Sequence, residues 1–310
     1  MHIDLWIALA GLIVGVVVGL TGMGGGALMT PILVLGFGIE PLAAVSSDLV
    51  AAVVMKPIGG GIHLRRGTVH KGLVLCLTIG SVPGALAGSY LISHLGDDVG
   101  DTIKLILGVV LLIAAAAMIL RVVVAARHEG RAEGVDAARV PVRVVPTVMI
   151  GAFGGFIVGM TSVGSGSLMI VALMLLYPML SARELVGTDL VQAVPLVLAA
   201  AVGHLIWGDF ELALTGSLLL GSIPGVIIGA HISSRAPDAV IRPILVLVLT
   251  LSALKLLDVP NEVLAGVLGG TLGVAAIVAF VVMRRRAAAE RAHVPPAPSD
   301  APAAPTSSPG

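Results

Sequence analysis

Gly19-Leu20-Thr21-Gly22-Met23-Gly24-Gly25-Gly26-Ala27-Leu28-Met29 reads GLTGMGGGALM, and the frame returns 140 residues later as GMTSVGSGSLM, Gly159 to Met169. Each copy sits near the middle of an apolar run of about 35 residues, roughly 3–37 and 145–180, whereas one helical crossing takes about 20. Glycine in a helix interior costs about 1 kcal/mol relative to alanine. Each long run therefore reads as two helical arms meeting at a broken turn, a hairpin that enters and leaves by one side. Breaks at matching places in two halves of a chain are a device by which transporters turn helix ends toward a substrate at membrane depth.

The rest of the chain agrees with a membrane setting. Of its 310 residues, 57% are hydrophobic and 12% charged, and the mean hydropathy is +1.08; a soluble domain carries about 25% charge. The expected fold class is an all-α polytopic membrane protein. Eighteen basic and eighteen acidic residues give zero net charge, so no basic field draws nucleic acid. The single cysteine, Cys76, makes neither an intrachain disulfide nor a cysteine zinc cluster. Gly22-Met23-Gly24 has a dinucleotide-like look, but no strand precedes it and no GK[ST] follows. With no serine–histidine–acid set and no metal-ligand spacing in the apolar segments, no enzyme chemistry, metal or cofactor is expected. Met1-His2-Ile3-Asp4 lacks the positive start of a secretory signal, and the first apolar run is read as a retained membrane segment.

The remaining apolar segments fall at about 41–62, 72–94, 101–125, 183–206, 212–234, 239–257 and 262–283 by the same length rule. The loop His63 to Lys71 is basic, as are the stretches with Arg121, Arg127, Arg131, Arg139 and Arg143, with Arg235 and Arg242, and with Arg284-Arg285-Arg286. Arginine and lysine mark cytoplasmic loops. The loops carrying Asp97, Asp98 and Asp101, then Asp209 and Glu211, then Asp258 and Glu262 are expected outside. The chain threads these loops with the right sign only when both long runs are hairpins. That puts the N-terminus outside and the C-terminus in the cytoplasm of a cell inner membrane. Trp6, Trp207, Tyr90 and Tyr177 lie near segment ends, where aromatic rings favour the interface.

Further blocks recur at a spacing of 141: Ser47-Asp48-Leu49-Val50 with Thr188-Asp189-Leu190-Val191, His63 with His204, and Gly80-Ser81-Val82-Pro83-Gly84 with Gly221-Ser222-Ile223-Pro224-Gly225. The loop after His63 is basic and the one after His204 acidic, so equivalent loops are expected on opposite faces, as in an inverted repeat. The organisation expected is a first repeat over 1–125, a basic cytoplasmic linker over 126–144, a second, inverted repeat over 145–257, and an extra helix within 258–283. The Ala-, Pro- and Ser-rich residues 284–310 read as a disordered tail.

A helix N-terminus at mid-membrane presents free N–H groups and partial positive charge to an anion. On that ground Thr21, Gly22, Gly24, Gly25, Gly26, Thr161, Ser162, Gly164, Ser165, Gly166 and Ser167 are candidate substrate-binding residues; close helix packing through small residues is the plainer reading. Gly15/Gly19, Gly84/Gly88, Gly225/Gly229 and Gly266/Gly270 are read as packing pairs. Asp48 and Asp189 are either proton carriers, as intramembrane carboxylates often are, or caps of half-helices. Lys56 has no basic counterpart in the second half; it either meets an anion or snorkels to the interface. His63 and His204, expected toward opposite faces, are gate or interface residues. Pro83 and Pro224 kink their helices.

At GLTGMGGGALMTPIL (Gly19 to Leu33), the His-x-Arg-Arg-Gly run ending at Gly67, the two GSxPG blocks and GMTSVGSGSLM, the chain resembles the TauE/SafE family of sulfite exporters and anion permeases, over roughly residues 5–283. Gly187-Thr188-Asp189-Leu190 resembles a Gly-Thr-x-Leu block of that family, while the first half has Ser46-Ser47 instead. The resemblance implies a secondary transporter of sulfite or an organosulfonate, with the lipid bilayer and a small anion as partners. A passive channel of the same architecture and a non-transporting accessory subunit are the rival readings.

Overall fold

The computed structural model describes residues 4–21, 25–95, 99–128, 140–232 and 238–270. Gly22, Met23 and Gly24 of the first glycine stretch lie outside the described residues, as do Asp97, Asp98, Arg131, Arg139, Arg235 and the C-terminal stretch from residue 271. Among the described residues there is no strand. Ten helices follow in order: α1 Leu5–Thr21, α2 Gly26–Pro31, α3 Pro41–Arg65, α4 Lys71–Ser93, α5 Val99–His128, α6 Val144–Thr161, α7 Leu168–Leu176, α8 Ala182–Trp207, α9 Leu212–Ile232 and α10 Asp238–Leu256. Residues 261–270 are also helical. Six of these helices are long and apolar enough to cross a membrane, which makes the chain an all-α polytopic membrane protein. Met1–Leu264 forms one compact unit, and Ala265–Gly310 is a second.

Both long apolar runs are broken at the glycine stretches. The first divides into α1 and α2, and the second into α6 and α7. Pro31 ends α2, and Ile32–Gly36 continues as a π-helical turn; proline lacks the N–H that an α-helical turn needs at that point. The second break has stronger local causes. Ser162 closes α6 in the left-handed conformation (φ +58°), and Gly164 and Gly166 follow at φ +120° and +93°. Such values favour glycine and are rare for serine.

Local capping sets other ends. Ser181 and Glu184 form a reciprocal box at the start of α8, with Glu184 Oε2 accepting from the Ser181 N–H at 2.8 Å, so two N-terminal donors are satisfied. The His70 ring accepts the Leu73 N–H at 3.1 Å to start α4, while the His70 backbone N–H donates to Thr188 Oγ1 at 3.0 Å. Helix α5 runs on to His128, so Arg121 and Arg127, expected in a loop, stand on a helix. The apolar run continues past Arg121 as Val122 to Ala126 before Arg127 is reached.

Glycine faces bring helices of the two halves together. Gly221, Gly225 and Gly229 of α9 face the backbone of Ala8, Leu12 and Val16 of α1 in step, so these helices run parallel. Gly80, Gly84 and Gly88 of α4 face Val148, Ala152 and Phe156 of α6 in the same way. The absent side chains let backbones approach, which is how small residues drive helix packing in lipid. Gly266 and Gly270, expected as a packing pair, lie on the helical residues 261–270. Helices α3 and α8 cross in opposite directions: Ser46 early in α3 meets His204 late in α8, and Gly60 late in α3 meets Leu190 early in α8.

Trp6 and Tyr90 are exposed, at 72% and 51%, and Trp207 packs edge-on against Tyr90. Tyr177 departs from the interfacial expectation. It is buried, its hydroxyl accepting the Arg143 N–H at 2.8 Å and lying 2.5 Å from Thr147 Oγ1. A buried phenol needs such partners, and here they tie α7 back to the start of α6.

Candidate functional site

The two breaks touch each other. A side chain at Gly26 would run into the Ser162 carbonyl group and stand 2.6 Å from Ser162 Oγ. Three charged side chains converge on the second break. Ser162 Oγ donates to Asp48 Oδ2 at 2.5 Å, Lys56 Nζ donates to Ser165 Oγ, and Asp189 accepts a backbone hydrogen bond from Gly166. Asp48 and Asp189 are fully buried and Lys56 nearly so, at 7% exposure. Lys56 therefore does not snorkel; its ammonium points inward, electrostatically coupled to both carboxylates. Eight residues, just over two helical turns, separate it from Asp48 along α3, which puts both near the same face of that helix.

The expected donors sort themselves on this frame. Gly25 lies beside Asp48, where a Cβ would stand 3.6 Å from Oδ1 and 3.4 Å from the Met55 methyl. Ser165 and Ser162 hold the charged groups. Thr161 closes the turn instead: its hydroxyl donates to the Ile157 carbonyl at 2.8 Å and accepts the Val163 N–H at 3.2 Å. Ser167 and Gly164 are buried in the break, and Ser167 precedes α7 without a side-chain cap. Thr21 ends α1. Gly22 and Gly24 fall outside the described residues.

The histidines differ although they occupy equivalent positions. His204 is fully buried and bridges three helices, with Nε2 2.7 Å from the Gly159 carbonyl and Nδ1 2.8 Å from Ser46 Oγ. A carbonyl only accepts, so Nε2 carries a proton. His204 is thus an interior brace and not an interfacial anchor. It joins the segment before the second break to the residue two places before Asp48. His63 is half-buried, its Nδ1 2.9 Å from Thr68 Oγ1 in the following loop.

Three residues join the site that sequence reasoning passed over. Arg121 of α5 acts electrostatically on Asp189. Gln192, fully buried, donates from Nε2 to Ser81 Oγ at 2.7 Å; a polar residue one turn beyond Asp189 in an apolar helix was a legible signal. Ser81 enters with it. Among the described residues, Asp48 Oδ1, Asp189 Oδ1, Gln192 Oε1 and Ser47 Oγ are buried without a hydrogen-bond partner. No group of three or more histidine, cysteine or acidic side chains among the described residues converges as a metal ligand set. A buried ammonium, serine hydroxyls and glycine N–H groups between two helix breaks make an arrangement able to hold a small charged solute.

The family model for the sulfite exporter TauE/SafE matches residues 7–256. The chain is 39% identical over 254 residues to the probable membrane transporter protein YjnA of Bacillus subtilis (strain 168), a match covering 81% of this chain and 98% of that protein. It is similar at 28% identity over 231 residues to YtnM of the same organism, covering 74% of each chain. To YdhB it is 23% identical over 249 residues, covering 79% of this chain and 96% of the relative. Both of these are also named probable membrane transporter proteins. No solved structure matches the chain. The chain belongs to the TauE/SafE family of sulfite exporters, a family of multi-pass membrane transporters.

Proposed function

We propose that this protein is a secondary transporter that carries a small anion, sulfite or an organosulfonate, across the cytoplasmic membrane, with the anion held at Lys56 between the two helix breaks. The observation that carries this reading is the inward-facing, buried Lys56 ammonium on Ser165 of the second break. A cation in the membrane interior is rarely idle, and here it stands beside backbone that is not helical. Asp48 and Asp189 oppose a negative guest. For a plain anion they take protons as it enters, which couples its movement to the proton gradient.

Alternating access then rests on an inverted repeat. The antiparallel crossing of α3 and α8, and the matching partnerships of α1 with α9 and of α6 with α4, support a two-fold relation lying in the membrane plane, as secondary transporters use. The basic loop after α3 and the acidic turn after α8 support a cytoplasmic and an outer placement for those ends, with the N-terminus outside.

Purified protein in liposomes tests the proposal by counterflow. Vesicles loaded with unlabelled sulfite should transiently accumulate labelled sulfite against its gradient. Flux that only dissipates gradients indicates a channel, and no flux of sulfite or any organosulfonate defeats the reading.

A further inference from the structure

We propose that the end of the molecule where α4, α6 and α8 begin binds an anionic phospholipid, with its phosphate at Lys71 and Arg143 and its chains along the apolar helix faces that start beside them.

Segments far apart in sequence meet at this end. A Cβ on Gly187 would stand 2.4 Å from the Thr68 carbonyl oxygen, and the His70 backbone N–H donates to Thr188 Oγ1 at 3.0 Å. The His70 ring lies 3.1 Å from the Val140 carbonyl through Nε2. Val142 packs on Gly72, where a Cβ would meet its methyl at 3.0 Å. The loop before α4 is thus pinned against the starts of α6 and α8. Lys71 and Arg143 each stand one residue from the Gly72–Val142 contact, and both are exposed.

The charge gathered here is of one sign. Arg65, Arg66 and Arg183 are also exposed, and Arg66 and Arg183, from different halves of the chain, both act electrostatically on His63. Among the described residues, none of these five cations makes an ion pair. Glu184, next to Arg183, is held by the Ser181 N–H and hydroxyl, each at 2.8 Å. The N-terminal ends of three helix dipoles add to the same sign. Like charges brought together repel, and a counter-anion relieves them.

The surroundings point to a headgroup as that anion. Lys71, Leu75 and Ile79 follow at four-residue spacing, which puts them on one face of α4; Leu75 and Ile79 are 62% and 57% exposed. Val145, Met149 and Phe153 repeat the spacing on α6 at 70%, 66% and 69%. In a bilayer such faces meet acyl chains, so an anion reaching Lys71 and Arg143 from the side comes with chains attached. Basic pockets between membrane helices bind anionic headgroups in this way. The α1–α9 pair gives an internal comparison. It packs in the same manner and exposes Leu5, Leu9 and Ile13. Yet Leu212 stands where Lys71 does at the 141 spacing, preceded by the exposed acids Asp209 and Glu211. Apolar faces belong to both pairs, while the cations head the α4–α6 pair.

The test titrates the purified full-length protein, in a neutral detergent, with phosphatidylglycerol or with phosphatidylcholine of the same chains, and reads the melting temperature. The wild type should be half-maximally stabilised by phosphatidylglycerol at a concentration about tenfold or more below that of phosphatidylcholine, the scale of two cations facing an anionic headgroup. Lys71→Gln combined with Arg143→Gln should bring the two lipids level and keep the response to phosphatidylcholine, which shows a folded variant; each change alone should remove part of the preference. Lys255→Gln, at an exposed cation that bonds Asn261, should keep the wild-type preference. Equal stabilisation by the two lipids in the wild type overturns the proposal. So does a preference that survives the double substitution, or one lost as fully in Lys255→Gln, which reduces the effect to overall charge. Inorganic phosphate that matches phosphatidylglycerol at equal concentration overturns it too and assigns the patch to a free anion. No sulfite enters this assay, so its failure leaves the transport reading untouched.

Discussion

Gly26→Ala tests the contact between the two breaks. A Cβ on Gly26 would stand 2.6 Å from both the carbonyl carbon and Oγ of Ser162, and closer still to the carbonyl oxygen. Most of what it meets is backbone, which cannot rotate away as a side-chain tip does. The breaks must therefore separate by about 1 Å or more to restore ordinary contact, and overpacking of this kind costs about 1–3 kcal/mol. Separation also strains the 2.5 Å bond from Ser162 to Asp48. A hydrogen bond to a charged group is worth about 1.5–3 kcal/mol, so the combined loss is about 2.5–6 kcal/mol when that bond breaks. Gly25→Ala is the matched control. Its Cβ meets only Met55 and Asp48 side-chain atoms at 3.4 and 3.6 Å, and Gly25 already has helical φ and ψ. Thermal unfolding in detergent and sulfite flux in liposomes should both collapse for Gly26→Ala, with Gly25→Ala keeping near wild-type stability. Wild-type stability and flux in Gly26→Ala would refute the docking of the two breaks.

Removing the cation should act on affinity. Lys56→Met loses a charged hydrogen bond of about 1.5–3 kcal/mol, so the half-saturating sulfite concentration in flux assays should rise about 10- to 150-fold; Lys56→Arg keeps the charge and should recover part of it. Sulfite flux in the wild type should rise as pH falls, because a protonated Asp48 no longer repels the anion. Asp48→Asn, permanently neutral, should flatten that profile when flux is measured across pH at fixed sulfite concentration. His204→Ala leaves the buried Gly159 carbonyl and Ser46 hydroxyl without the imidazole, a loss of about 1–3 kcal/mol. Its melting temperature should fall further than that of His63→Ala, because His63 is only half-buried and bonds within its own loop.

Most of the fold was legible because bilayer thickness dictates segment length and glycine disfavours helix interiors. The boundaries expected for the segment beginning near 41 and for the two hairpin runs lie within a few residues of α3, α1–α2 and α6–α7. The glycine pairs Gly84/Gly88 and Gly225/Gly229 do what small residues at a four-residue spacing do. The site was legible only in outline. Asp48, Lys56, Ser162 and Ser165 were each visible as polar residues in apolar surroundings. Their pairing was not, since Lys56 and Ser165 are 109 residues apart and Asp48 and Ser162 are 114 apart. Lys56 was open to two readings, meeting an anion or snorkelling to the interface, because a sequence does not show which way a helix is turned; α3 turns it inward. Tyr177 misled for a related reason: closeness to a segment end says nothing about which way a ring faces, and the Arg143 N–H and Thr147 hydroxyl draw it in. His204 pairs with Ser46 on α3, while at the equivalent place in the other half stands Gly187, which offers no hydroxyl to His63.

Transport as proposed requires an anion seated at Lys56 between the breaks, and an experimental map of the protein equilibrated with selenite, an isostere of sulfite with an anomalous signal, tests this most directly. The expected result is one selenium peak within hydrogen-bonding reach of Lys56 Nζ and Ser165 Oγ, bordered by Gly25 and residues 162–166, and absent in Lys56→Met. Selenium bound only elsewhere, or a peak unchanged in Lys56→Met, would contradict it.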